Sequence, residues 1–282
     1  MLFRSLQLRG SVSRNSQYST NANDAIGWMS TSDSTYMQLN NLVQKVRTLV
    51  VQGLNDGTST TDSNTAIAEQ IDGIRNSIIS LANTTYNGRP IFGGITAGSA
   101  AYDSNGNFIG DDTSVTGTNP DGTPATGAIF RQVGDSTNVQ INQTGPQVFV
   151  TQASPASNGN PVDLFGLLSQ ISSDLKANAL SSDTTNYATS GMSGGGPLAD
   201  IDQAIKTLSA AQAQEGATYN QVTAAQNAQT STNLALTTEL SGIQDIDIAQ
   251  QAVLVSTANT NYQAALQTTA NIRQTSLLNF LN

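Results

Sequence analysis

The residues in this sequence that could do chemistry are acidic. Asp103-Ser104-Asn105-Gly106-Asn107 places side-chain oxygens at alternate positions, as the start of a calcium loop does. The rest of that loop does not follow, because the sixth position is Phe108 where a glycine is needed and the twelfth is Ser114 where a glutamate is needed. A type I′ turn at Asn105-Gly106 accounts for the same residues. Asp245 and Asp247 could act as paired carboxylates for proton transfer or metal binding. Two residues apart on a helix, they project to different faces, which fits capping or solvation instead. Asp111-Asp112 stands in a turn-rich loop with no partner base, and a glycan-acting enzyme built on Asp111, Asp112 and Asp135 would need two carboxylates across a cleft. Gly191 to Gly196 could cradle a phosphate, but no strand precedes it and no Lys-Ser or Lys-Thr pair follows. It reads as a linker. Trp28 and Met29 lie beside a helical stripe, where core or partner packing explains them better than a cofactor does.

The chain contains no histidine and no cysteine. It therefore has no thiol nucleophile, disulfide or Cys/His zinc site, and no imidazole to activate a serine. The reading is non-enzymatic: no catalytic, cofactor-binding or metal-binding residues are assigned. Net charge is -9, with only 11 scattered Lys and Arg among 282 residues, which argues against neutralising nucleic-acid phosphates. No apolar run approaches the roughly 18 residues of a membrane span, and Met1 to Arg14 lacks the apolar stretch of a secretory signal. Charged residues are 11% and aromatics 5%, so the core is expected to be Ile, Val, Leu and Ala under a neutral polar surface.

The elements that must position these residues are mostly helices. Ala22, Ala25, Met29, Ser32, Tyr36, Leu39, Val43, Val46 and Val50 alternate spacings of three and four, giving one stripe of a long helix. Gly53, Asn55, Asp56 and Gly57 are expected to stop it. A second helix, capped by Asp62 or Ser63, carries Ile67, Ile71, Ile74, Ile78 and Leu81. The two read as an antiparallel hairpin. Tyr86-Asn87-Gly88-Arg89-Pro90 ends the helical pattern in a turn, and Ile91-Phe92 leads out extended. From there to Pro161 short apolar clusters predict strands around Ala128 to Val133, Val139 to Ile141, and Gln147-Val148-Phe149-Val150. Helical spacing resumes at Val162, with Leu164, Leu167, Leu168, Ile171 and Leu175. After the glycine-rich link a long stripe begins at Leu198, Ile201, Ile205 and Leu208. It passes Tyr219 and Val222 and ends at Leu236, Leu240 and Ile243. Gln212, Glu215, Gln226, Gln229 and Asn233 interrupt that stripe. An amphipathic tail runs from Ile246 through Tyr262 and Leu266 to Leu277, Leu278, Phe280 and Leu281.

The fold class is therefore mainly α. The N- and C-terminal segments form a long antiparallel helical bundle or coiled coil, and a small antiparallel β subdomain is inserted between them. The expected bounds are 1–92 and 162–250 for the bundle, 93–161 for the insertion, and 251–282 for a terminal helix. Packing and assembly are expected to rest on Met29, Tyr36, Val43, Val46, Val50, Ile67, Ile71, Ile74, Ile78 and Leu81 in the first half. Leu236, Leu240, Ile243, Ile246, Tyr262, Leu266, Leu277, Leu278, Phe280 and Leu281 complete the set.

Several segments also resemble a known family. Leu49-Val50-Val51-Gln52-Gly53, Ile67-Ala68-Glu69-Gln70-Ile71 and Leu81-Ala82-Asn83 resemble the N-terminal region of flagellins. Asn87-Gly88-Arg89-Pro90-Ile91-Phe92-Gly93-Gly94 resembles a segment of the hook–filament junction proteins, with Pro90 where that family carries an aromatic. Leu240 to Ala249, Tyr262-Gln263-Ala264-Ala265-Leu266 and Ser276 to Leu281 are similar to the C-terminal region of the same superfamily. The resemblance implies a rod-like subunit exported unfolded through the flagellar type III apparatus and placed outside the cell in the flagellum. It implies self-assembly in a ring and contacts with hook-associated protein type one, flagellin and an export chaperone. It implies no cofactor, no nucleic acid and no membrane insertion. A flagellin filament subunit is the alternative, and a secreted glycan-acting enzyme a more distant one. The family carries some tens of residues ahead of the point matching Leu6-Gln7-Leu8-Arg9, so the tail from about Ala252 is expected to lack its helical partner.

Overall fold

The computed structural model describes residues 2–55, 60–111, 127–151, 162–180, 196–244 and 248–280. They form two compact units, one of Asn15–Ser231 and one of Met1–Arg14 with Thr232–Asn282. Helix α1 (Leu2–Gly53) is followed by α2 (Thr61–Ala82), strands β1 (Thr85–Tyr86) and β2 (Arg89–Pro90), and β3 (Phe130–Gln132) and β4 (Asn138–Gln140). Then come α3 (Gly145–Phe149), β5 (Val150–Thr151), β6 (Val162–Asp163), α4 (Leu164–Lys176), α5 (Gly196–Gln244) and α6 (Ile248–Phe280). No helix among the described residues is long and apolar enough to cross a membrane.

In the larger unit the α1 stripe from Ala22 to Val50 is buried throughout, and it shares one core with Ile67, Ile71, Ile74 and Ile78 of α2 and with Leu167, Leu168, Ile171 and Leu175 of α4. Leu81 is half-buried against that core. Helix α1 ends at Gly53, where the stop was expected, and Asp56 and Gly57 lie outside the described residues. A Cβ on Gly53 would come within 2.7 Å of Leu175, so the glycine permits close packing. The cap of α2 is Thr60, whose hydroxyl accepts from the Ser63 N–H at 3.2 Å, in place of Asp62 or Ser63. Asp62 lies in the first turn, where its charge favours the helix dipole. Packing of α2 is chiefly against α4, with Lys176 to Asp72 at 2.6 Å and Asn64 donating to Asn178 at 2.6 Å.

Among the described residues the named strands pair as three separate two-stranded antiparallel ribbons. The first turns at Asn87 and Gly88, with φ of 50° and 78°, the positive pair that a type I′ hairpin requires. Asn83 ends α2 and then organises the chain beyond it. Its Oδ1 accepts from the N–H groups of Ala101 and Tyr102 at 2.8 Å, and its amide donates to the Tyr102 carbonyl at 2.9 Å. Asn142 does the same for the next loop, accepting from the Ile129 N–H at 2.6 Å and donating to the Gly127 carbonyl at 2.8 Å.

Two expectations differ from the structure here. Gln147-Val148-Phe149 belongs to a single helical turn, and only Val150 is extended. Pro146 fits the first turn of a helix, and the Gln147 side chain accepts from the Thr144 N–H at 3.0 Å, which holds the chain helical. Val162 is likewise extended, and α4 starts one residue after Asp163, whose carboxylate caps it by accepting from the Gly166 N–H at 2.9 Å.

The core is not only aliphatic. Tyr36 of α1 meets Phe92 edge-on at 5.5 Å, Phe92 meets Phe149 at 5.4 Å, and Phe149 meets Tyr102 and Phe165 at 5.4 and 5.2 Å. Tyr102 also packs on Phe108 and on Phe165 of α4. Phe149 is 1% exposed at the centre of this cluster. Replacing Phe149 with alanine is expected to cost about 3–5 kcal/mol, read as a lower denaturant midpoint with an unchanged slope. A cost of under about 1 kcal/mol would show that the rings do not tie these segments together.

Candidate assembly surface

In the smaller unit, Leu8 is buried, Leu236, Leu240 and Ile243 are half-buried, and Arg4 and Arg9 donate to Glu239 and Gln244 at 2.6 and 3.1 Å. The Arg4–Glu239 pair is open to solvent and contributes well under about 1 kcal/mol. Every residue from Gln250 to Asn271 is exposed. Val253, Leu254, Val255, Tyr262 and Leu266 are 53–66% exposed, and three of these are consecutive. Successive helical residues are rotated by about 100°, so apolar surface covers more than one face of α6. Leu277, Leu278 and Phe280 fall within the span of α6, while Asp245, Ile246, Asp247 and Leu281 lie outside the described residues.

In the larger unit Met29, Tyr36, Val43, Val46 and Val50 are buried along α1. Polar groups set its register against α5. Arg47 holds Asp202 with two nitrogens, Asn40 donates to Gln212, Gln212 donates to Asp33, Gln226 to Asn23, and Asn15 to the Gln229 carbonyl. Positions rise along α1 as they fall along α5, so the two run antiparallel. Gln212 and Gln226, which interrupt the apolar stripe of α5, bond across this seam through their side chains, whereas the Gln229 side chain donates to the Val133 carbonyl at 3.0 Å.

Glu215 also lies on the seam. It is 8% exposed, and its Oε1 has no hydrogen-bond partner, as is true of the Oδ1 atoms of Asn15 and Asn40. Burial pushes its carboxyl up from 4.5 to about 8, with the Ser32 hydroxyl opposing that rise and Asp33 adding to it. The Tyr36 hydroxyl is also raised, by burial first and then by Glu215. Tyr36 donates to Gln143 at 3.3 Å, and Gln143 donates to the Ala211 carbonyl at 2.8 Å. An acid inside a three-and-four stripe was the one signal in the sequence that could have pointed to this place.

The other acidic candidates are occupied locally. Asp103 accepts from the N–H groups of Asn105 and Asn107 and from the Asn107 amide, all at 2.8 Å. Those bonds, with the Asn107 amide foremost, hold its carboxyl below the usual range. Only Gly106 has positive φ there, so the turn is not type I′ at Asn105. Asp135 accepts from the Tyr18 hydroxyl at 3.0 Å, and Asp111 forms a parallel bridge with Gly94. Asp112 and Gly191 to Gly195 lie outside the described residues. Among the described residues no group of three or more His, Cys, Asp and Glu could hold a metal ion.

The folded state keeps the Glu215 proton to a higher pH than the unfolded chain does. Its contribution to stability is therefore complete below about pH 4.5 and lost as pH rises through about 8. Unfolding free energy is expected to fall across that window by up to about 1.4 kcal/mol per pH unit. Glu215→Gln should flatten this slope in denaturation measured at several pH values. An unchanged slope would remove Glu215 as its source.

A family model of the bacterial flagellin N-terminal helical region matches residues 1–97, and one of the flagellin C-terminal helical region matches residues 198–281. Flagellar hook-associated protein 3 of Escherichia coli (strain K12) is 29% identical over 170 residues, covering 58% of this chain and 49% of that protein. A flagellin of Clostridium tyrobutyricum is 34% identical over 79 residues, covering 28% of this chain and 21% of that protein. The chain thus spans about half the length of the hook-associated relative. Among solved structures, FlgL of Xanthomonas campestris superposes with a TM-score of 0.65 at 19% identity, covering 83% of this chain and 99% of that one. Flagellar hook-associated protein 3 of Legionella pneumophila gives 0.64 at 14% identity, covering 86% and 99%. These likenesses establish a shared fold.

Proposed function

The chain belongs to the flagellin family, and from that premise we propose that it is a non-enzymatic subunit of the hook–filament junction of the bacterial flagellum. The observation that carries this reading is α6, a helix with apolar residues on more than one face and exposed along all its described side chains. A helix of that kind is stable in water only when neighbours bury it. In the proposed ring those neighbours are further copies of the chain, and Tyr262 and Leu266 are buried between them together with the terminal Leu277, Leu278, Phe280 and Leu281. Leu236, Leu240, Ile243 and Ile246 then continue the same surface. Hook-associated protein type one lies on one side of the ring and flagellin on the other. Export unfolded through the flagellar type III apparatus, with a chaperone covering the terminal helix beforehand, places the subunit outside the cell.

The flagellin alternative has an observation of its own, the higher identity over the shorter match to the Clostridium protein. Growth on isolated hook–basal bodies separates the two readings. A junction subunit forms a short cap that then accepts added flagellin, whereas a filament subunit alone grows long polymers. Long polymers from this chain would overturn the junction reading. Tyr262→Asp combined with Leu266→Asp is expected to reduce cap formation by at least about tenfold, since burying two unpaired charges costs several kcal/mol. Both residues are exposed, so the unfolding free energy of the isolated chain should stay within about 0.5 kcal/mol of its original value. Undiminished assembly by this variant would take α6 out of the interface.

A further inference from the structure

Three Asn-Gly pairs occur in the sequence, Asn87-Gly88, Asn105-Gly106 and Asn158-Gly159, and the last lies outside the described residues. An asparagine followed by glycine can react with its own backbone. The amide nitrogen of the next residue loses its proton and attacks the side-chain carbonyl carbon, and glycine, having no Cβ, leaves that approach unhindered. The reaction needs a free glycine N–H, an unheld asparagine side chain and room to bring the two together.

The two described pairs differ on each of these points. At Asn105-Gly106 the Gly106 N–H donates to the Asp103 carbonyl at 3.1 Å, and Gly106 is buried. A Cβ there would come within 2.6 Å of Phe165. The Asn105 N–H donates to the Asp103 carboxylate at 2.8 Å, and the Asn105 carbonyl accepts from Arg75. That turn is held on both sides. At Asn87-Gly88 both residues are exposed, and a Cβ on Gly88 would meet nothing within 4 Å. Among the described residues neither the Asn87 side chain nor the Gly88 N–H has a hydrogen-bond partner. The ribbon closes on only two residue pairs, Tyr86 with Arg89 and Thr85 with Pro90, so it opens locally at little cost.

We propose that Asn87 is a self-modification site of the folded chain, converting through a cyclic imide to an isoaspartyl residue. Solvent hydroxide takes the Gly88 N–H proton, the bond from that nitrogen to Asn87 Cγ forms, and the Cγ–NH2 bond breaks with release of ammonia. One water then opens the five-membered imide, and nothing is oxidised or reduced. Opening at Cγ gives aspartate in a normal chain. Opening at the backbone carbonyl leaves the main chain running through Cβ and Cγ, with a free α-carboxylate. That product adds a carbon to the backbone of a two-residue turn whose φ values of 50° and 78° fix the pairing of its strands. Tyr86, the residue before the turn, packs edge-on against Trp28 of α1 at 5.8 Å, and a Cβ on Gly27 would overlap its ring. Loss of the turn therefore frees Tyr86 from the chain's only tryptophan, which is 2% exposed. The new α-carboxylate is also the group that isoaspartyl-directed carboxyl methyltransferases esterify, so the converted chain becomes a substrate for that class of enzyme.

Incubation of the whole chain at mildly alkaline pH, followed by peptide mapping with mass spectrometry, tests this. Asn87 is expected to convert at least about tenfold faster than Asn105 in the folded chain. That ratio should collapse in denaturant, where both pairs are equally free. An isoaspartyl methyltransferase should label the peptide holding Asn87, and the labelling should disappear in Asn87→Gly, which removes the reacting side chain and suits the positive φ of the turn. Emission from Trp28 should shift to the red as the isoaspartyl product accumulates, and stay unchanged in Asn87→Gly incubated alongside. The proposal is overturned if Asn105 keeps pace with Asn87, or if the tenfold ratio survives in denaturant and so belongs to the local sequence. It is equally overturned if Asn87 stays intact in the folded chain over the time in which the denatured chain converts, or if full conversion leaves the Trp28 emission where it was.

Discussion

The ring cluster centred on Phe149 is the contact on which the larger unit depends. Helices α1, α2 and α4 could pack as a simple bundle from their aliphatic stripes. The loops between them could not, because their apolar residues come in clusters too short to form a core. Phe92, the bridged pair Tyr102 and Phe108, and Phe149 bring three separate segments onto Tyr36 of α1 and Phe165 of α4. Each edge-on pair adds about 0.5–1.5 kcal/mol beyond the area it buries. The polar side of the same problem is handled by Asn83 and Asn142. Asn83 satisfies three loop backbone groups and Asn142 two. Loops of this composition stay ordered only when both conditions are met.

The α1–α5 seam follows a different rule. Both helices are long and carry little charge, and a purely apolar stripe between them would tolerate sliding by a heptad. Side-chain amides remove that freedom, since Asn15, Asn23, Asn40, Gln212 and Gln226 each have a partner in only one register. Polar residues in a helical interface commonly fix register at some cost in stability. Glu215 fits this scheme poorly. Across the seam it meets the Ser32 hydroxyl, but its Oε1 is buried without a partner, so it adds a cost that the amide pairs do not.

What could be read from the sequence follows from the range of the interactions. The α1 stripe from Ala22 to Val50 and the α2 isoleucines depend on spacings of three and four, and all of those residues are buried or nearly so. The Asn87-Gly88 turn is equally local. Capping proved less legible, because Thr60, Asp62 and Ser63 are all competent cap residues and only the backbone geometry selects Thr60. Gln147-Val148-Phe149 has strand composition, yet one side-chain bond to Thr144 makes it helical. The ring cluster could not be read at all. Its members lie between positions 36 and 165, and no local pattern joins them.

The two units therefore answer the same composition in opposite ways. With so few charged residues, apolar surface must be covered by packing, since charge repulsion alone would not keep it apart from other molecules. In the larger unit the covering comes from within the chain, through rings, amides and close contacts such as Gly53 against Leu175. On α6 it does not, because Val253, Leu254 and Val255 point in three directions and none is buried. A single partner helix could cover only one stripe of such a surface. Burial on several sides at once requires several neighbours.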